Sequence, residues 1–119
     1  MPAVTVQEGD QILVFSESLP ICEYFEEKYQ HLPKLLPSDP FKKWQVRRLC
    51  EQINASTQPL ANLGVVVEIE KRFGKEARNP WGAWANTRGL SAFETLISST
   101  RGKYCLGDEI TLADIFLIP

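Results

Sequence analysis

The hydrophobic pattern of this chain changes period once, near Ser16, and does not change back. Before that point Ala3-Val4-Thr5-Val6 alternates, Gln7-Glu8-Gly9-Asp10 reads as a turn, and Ile12-Leu13-Val14-Phe15 is a second β-rich run. Two such runs around a Gly-containing turn form an antiparallel hairpin, here with an expected four-residue connection over Gln7–Asp10. Beyond Ser16 apolar residues recur at helical spacing to the end of the chain. The fold class is therefore α+β, a small sheet followed by helices.

The joint between the two patterns carries chemistry. A helix is expected from about Ser18 to Tyr29, with Leu19, Cys22, Tyr24, Phe25 and Tyr29 in one apolar arc and Glu23, Glu26, Glu27 and Lys28 largely outside it. Pro20 is tolerated because N–H groups of a first helical turn have no intrahelical partner. Those N–H groups also hold the positive end of the helix dipole. Ser18 can cap the helix or share the N–H groups with a bound carboxylate, while Glu17 could hold an ammonium. The pair would suit the amino-acid end of a ligand; an ordinary N-cap beside a solvated acid is the plainer alternative.

Pro33, Pro37 and Pro40 make a stiff crossing that a helix cannot continue through. It divides the chain into residues 1–31, a linker at 32–40, and residues 41–119. After it Ser38 or Asp39 can cap a helix carrying Phe41, Trp44, Val46, Leu49, Cys50, Ile53 and Thr57 on its apolar stripe. Pro59 is expected to kink that helix before Leu60, Leu63, Val66, Val67 and Ile69 resume, and Leu63 reads as core. A second helix is expected from Asn79-Pro80 to Ser99, with Trp81, Trp84, Ala85, Ala92, Phe93, Leu96 and Ile97 on its apolar side. A third begins at Thr111, where Thr111 and Asp114 have capping-box spacing with Asp in place of the usual Glu or Gln.

Composition removes several functions. Net charge is −2 and the 13 basic residues are dispersed, unlike the concentrated patch of a nucleic-acid surface. No apolar run is long enough to span a bilayer, and no export leader is visible. A single histidine, His31, and three scattered cysteines, Cys22, Cys50 and Cys105, offer no metal-ligand spacing. With no basic cluster near them in sequence, the cysteines read as small hydrophobes in a reducing, cytoplasmic protein.

The hairpin, Glu17-Ser18 opening a helix, the Pro-rich crossing and the Ile110-Thr111-Leu112-Ala113-Asp114 run together resemble the cytosolic glutathione transferases. Glu51–Leu63, with its Gln58-Pro59-Leu60 to Asn62-Leu63 run, and Gly102–Asp114 resemble the zeta class, the maleylacetoacetate isomerases. The resemblance implies that residues 1–31 are the C-terminal half of a thioredoxin-like domain and 41–119 the start of an all-helical domain. It implies glutathione as cofactor, with Met1 before a cis Pro2 meeting the cysteinyl part and Glu17 and Ser18 gripping the γ-glutamyl amine and carboxylate. Gln58, Asn62, Leu63 and Gly64 would complete the glutathione-binding set as the opposite wall; alternatively Gln58 and Asn62 only satisfy backbone groups freed by Pro59. Thr111 and Asp114 are expected to serve folding. The implied reaction is cis–trans isomerisation of maleylacetoacetate to fumarylacetoacetate in phenylalanine and tyrosine breakdown, in a homodimer acting on a small unsaturated dicarboxylic acid. In that reaction the thiolate adds to the conjugated double bond, rotation follows, and the same thiolate is expelled.

Zeta enzymes usually carry Gln where Glu17 stands. Another glutathione transferase class performing detoxifying conjugation, or a non-catalytic interaction module of this fold, are the competing readings. By the resemblance, the Ser/Cys segment that activates the thiol lies before Met1, so the 119 residues alone are expected to be inactive. A lone two-stranded hairpin and a helix that stops soon after Thr111 are weak elements. Thermal melting of the 119 residues followed by circular dichroism is expected to be broad or to end in aggregation; a sharp, reversible transition would contradict this.

Overall fold

The computed structural model describes residues 3–118, and the chain divides into two compact units, Met1–Leu36 and Pro37–Pro119. In the first, strands β1 (Ala3–Glu8) and β2 (Gln11–Ser16) pair antiparallel, with Val4 opposite Phe15 and Val6 opposite Leu13. The register puts Glu8 opposite Gln11, so the connection is two residues rather than the expected four. Gly9 alone of the two turn residues has positive φ, 59°, the signature of a type II′ turn. That turn matches the strand twist and lets Gln7 and Glu8 join the ladder.

The pleat separates the faces. Val4, Val6, Glu8, Leu13 and Phe15 are sheltered, while Ile12 and Val14 on the other face are 68% and 72% exposed. Helix α1 (Ser18–Lys28) covers the sheltered face, with the Tyr24 ring 4.4 Å from that of Phe15. At the edge of this contact Tyr24 Oη and Lys28 Nζ both donate to Glu8 Oε1, at 2.5 and 2.6 Å. The Lys28 bond, then the Tyr24 bond, hold the Glu8 carboxyl below its ordinary pKa. Of the α1 side chains, Ile21 is the buried one, a residue the expected apolar arc omitted; the arc's own members are half-buried. After the helix the Glu26 carboxylate accepts from the N–H groups of Leu35 and Leu36 at 2.9 and 3.3 Å, and Lys34 Nζ donates to the Glu26 carbonyl.

The second unit is helical. Asp39, not Ser38, caps α2 (Pro40–Glu51), its Oδ1 accepting from Lys42 N at 2.8 Å. Val46, Leu49 and Cys50 are buried, whereas Phe41 and Trp44 lie on an exposed face and stack on each other at 5.5 Å. The expected kink at Pro59 is a more drastic departure. The helix widens to a π turn over Gln52–Thr57, continues as the four-residue α3 (Gln58–Ala61), and breaks at Asn62, where ψ reaches 138°. Pro59 has no N–H to continue the ladder, and the Thr57 hydroxyl donates to the Gln52 carbonyl at 2.8 Å. Helix α4 (Leu63–Phe73) starts afresh, capped by Asn62.

Helix α5 (Arg78–Ile97) buries Ala85, Gly89, Phe93 and Ile97 at a spacing of four, and packs on the π turn at Gly89. There a Cβ would stand 2.2 Å from Thr57 Oγ1, so glycine is needed for the approach. Helix α6 (Leu112–Leu117) opens with the expected capping box. Asp114 Oδ2 accepts from Thr111 N at 2.8 Å and Thr111 Oγ1 at 3.0 Å, and Oδ1 from Cys105 N at 2.8 Å.

Gly89→Ala is expected to destabilise the protein by about 2–3 kcal/mol, read from chemical denaturation, with Thr57→Ala recovering part of the loss. A second expectation concerns Asp114. Burial pushes its pKa up, but hydrogen bonds from Cys105 and Thr111 outweigh that and bring it below the ordinary 3.8. A folded pKa below the unfolded one means the stabilisation is complete above about pH 4 and is lost as pH falls through the lowered value. Asp114→Asn should cost about 1–2 kcal/mol at pH 7 and flatten the acid limb of a stability-versus-pH series.

Candidate functional site

The strand-to-helix joint is built around one unusual residue. Glu17 occupies the N-cap position of α1 with φ 69° and ψ 123°, and among the described residues no other non-glycine has positive φ. Such a conformation costs a non-glycine residue roughly 1–3 kcal/mol and persists where the surroundings impose it. Ser18 is thus the first helical residue and not the N-cap, which corrects the capping alternative; no side-chain cap bond is made at this end. Ile21 N donates to the Glu17 carbonyl at 3.1 Å and Pro20 has no N–H, which leaves the N–H groups of Ser18 and Leu19 outside the helical ladder. No acidic side chain lies in the first turn to satisfy the dipole. Two N–H groups and the Ser18 hydroxyl offer a carboxylate its donors, and the exposed Glu17 carboxylate offers an ammonium its counter-charge. The residues present fit the amino-acid end of glutathione.

Met1 and Pro2, read as the cysteinyl contact and its cis proline, lie outside the described residues.

The other candidate residues gather within the second unit, around α3. Gln58 opens it, Asn62 ends it, and Leu63 and Gly64 begin α4. Asn62 Oδ1 accepts from Gly64 N at 2.9 Å, so this side chain does satisfy a backbone group, though one at the start of α4 and not one freed by Pro59. Capping uses the oxygen and leaves the amide N–H₂ donors of Asn62 for another partner. Leu63 is 66% exposed, which overturns its assignment to the core. An apolar side chain exposed beside two amides is what one wall of a ligand site needs.

Sequence reasoning missed what holds this group in place. Trp81 Nε1 on α5 donates to the Leu60 carbonyl at 2.9 Å, and buried Thr57 sits against Gly89. A tryptophan with an N–H to satisfy on an apolar stripe was the available signal. The positive φ of Glu17 had none, since Glu does not favour that region.

The cysteines offer no nucleophile. Burial, then the Asp114 hydrogen bond, push the Cys105 thiol up to about 12, and burial with Glu26 and Glu23 nearby raises Cys22. Cys50 is fully buried. No His/Cys/Asp/Glu group among the described residues could hold a metal, and no described helix is long and apolar enough to cross a membrane.

No family model matches the chain. It is 43% identical over 107 residues to maleylacetoacetate isomerase of Rattus norvegicus, spanning 90% of this chain and 47% of that protein. It is 38% identical over 112 residues to glutathione S-transferase Z1 of Arabidopsis thaliana, spanning 94% of this chain and 49% of that one. Its fold matches maleylacetoacetate isomerase from Anaeromyxobacter dehalogenans 2CP-1, solved with dicarboxyethyl glutathione and citrate in the active site. The TM-score is 0.92 at 33% identity, covering 98% of this chain and 52% of that one. The chain thus spans about half the length of the relatives it matches.

Proposed function

We propose that this chain, which belongs with the zeta-class glutathione transferases, supplies the glutathione grip and one substrate wall of a glutathione-dependent cis–trans isomerase. The substrate is maleylacetoacetate and the product fumarylacetoacetate, a step of phenylalanine and tyrosine breakdown, carried out by a cytosolic homodimer. The observation that carries the reading is the positive φ of Glu17 at the N-cap of α1, where a residue with an exposed carboxylate directly precedes two N–H groups outside the helical ladder. That arrangement matches the zwitterionic end of the γ-glutamyl group, and glutathione derivatives occupy the active site of the Anaeromyxobacter relative.

In this reading Glu17 takes the γ-glutamyl ammonium, and Ser18 with the first N–H groups of α1 takes its carboxylate. Met1 completes the grip on the cysteinyl part. Gln58, Asn62, Leu63 and Gly64 supply the substrate wall, with the amides as hydrogen-bond partners and Leu63 as apolar cover. Bound glutathione supplies a thiolate that adds reversibly to a conjugated double bond and so permits rotation about it. None of Cys22, Cys50 and Cys105 competes for that role. Glu17 in place of the Gln usual in this class favours a second reading, conjugation of electrophiles by the same grip.

The test uses the protein expressed from its native transcript. Glu17→Ala is expected to weaken glutathione binding about 10–100-fold and Ser18→Ala about five-fold by calorimetry, with maleylacetoacetate isomerisation falling in step. Binding unchanged in both variants overturns the grip. Conjugation without isomerisation in the unmodified protein decides for the second reading.

A further inference from the structure

We infer that Trp81 and Thr57 are positioning residues that set Gln58 and Asn62 against the substrate; this rests on the function proposed above. Helix α3 has four residues, Gln58–Ala61, and a helix that short cannot hold its own place. It has a π turn before it, a proline inside it and a backbone break at Asn62 after it. Its position is fixed from outside, at both ends and by one element.

At the leading end Thr57 is buried where Gly89 lacks a Cβ, and its hydroxyl donates to the Gln52 carbonyl at 2.8 Å. Gln52 in turn donates through Nε2 to the Gly89 carbonyl at a long 3.4 Å. At the trailing end the Trp81 indole donates to the Leu60 carbonyl at 2.9 Å. Gly89 and Trp81 both belong to the 20-residue α5, the longest helix described. Gln58 and Asn62 are therefore referenced to α5 through Thr57 and Trp81, whose side chains bond to backbone carbonyls of Gln52 and Leu60. Catalytic geometry is sensitive to shifts of an ångström, so loosening either tether should be felt at the substrate.

Trp81→Phe keeps a ring and deletes the N–H; Thr57→Val keeps the volume against Gly89 and deletes the hydroxyl. In the protein expressed from its native transcript, each is expected to raise the KM for maleylacetoacetate about five-fold, the size of one neutral hydrogen bond. The Kd for glutathione should move less than about two-fold, because Glu17 and Ser18 are untouched, and Thr57→Ser should restore the KM. Normal kinetics in a folded Trp81→Phe or Thr57→Val protein overturns the inference, as does a glutathione Kd that moves as far as the KM. If Trp81→Phe does not fold, Thr57→Val compared with Thr57→Ser decides. Absence of isomerase activity in the unmodified protein sinks the proposed function and this inference together, whereas activity that the variants leave unmoved sinks this inference alone.

Discussion

The helical unit depends on an atom that is not there. With no Cβ on Gly89, α5 approaches the π turn closely enough for Thr57 to fill the gap. Interiors pack at crystal-like density, so a single methyl at this crossing has nowhere to go without moving a helix. Cys50, Val46 and Leu49 on α2, Phe93 and Ile97 on α5, and Leu112 and Ala113 on α6 make up the buried interior around it. The widened turn over Gln52–Thr57 lies at this crossing, and the proline and the fresh start at Asn62 come directly after it. A continuous helix from Pro40 to Phe73 would carry Gln58 and Asn62 on its surface, but it would not leave Asn62 free to begin a helix of its own.

Much of this architecture is legible in the residues because several local signals agree. The alternation before Ser16, the prolines between Pro33 and Pro40, and the Thr111–Asp114 spacing each have one strong structural solution, and each adopts it. What escaped has physical reasons. Gln7 and Glu8 read as turn residues by type, yet a two-residue turn at Gly9-Asp10 draws them into the strand. Phe41 and Trp44 fit the helical stripe by spacing, but periodicity cannot say which of two apolar faces is covered. Leu63 reads as core because it continues the period of a helix that in fact ends two residues earlier, at Ala61. Of the candidate site, the order of residues along the chain is legible, whereas the positive φ of Glu17 and the tethers of α3 leave little local trace.

The two candidate clusters solve different problems. At the start of α1 the backbone itself offers donors, the N–H groups of Ser18 and Leu19, and the residue just before them, Glu17, holds a positive φ. Around α3 the backbone is interrupted, and amide side chains take over what a regular helix would hide. Rigid donors for a charged head group and adaptable amides for a variable acid are a common division of labour in ligand sites.

A thiolate, not a thiol, is the form of cysteine that electrophiles alkylate. The sulfhydryls of this chain are kept from that form or from contact: burial and Asp114 push the Cys105 thiol up to about 12, Cys22 is shifted the same way, and Cys50 is fully buried. The capping carboxylate of Asp114 therefore has a second effect: the group that accepts from Thr111 to start α6 also hydrogen-bonds the Cys105 side chain and helps keep its proton in place. Alkylation of Cys105 is thus opposed by burial first and, second, by the same group that starts a helix.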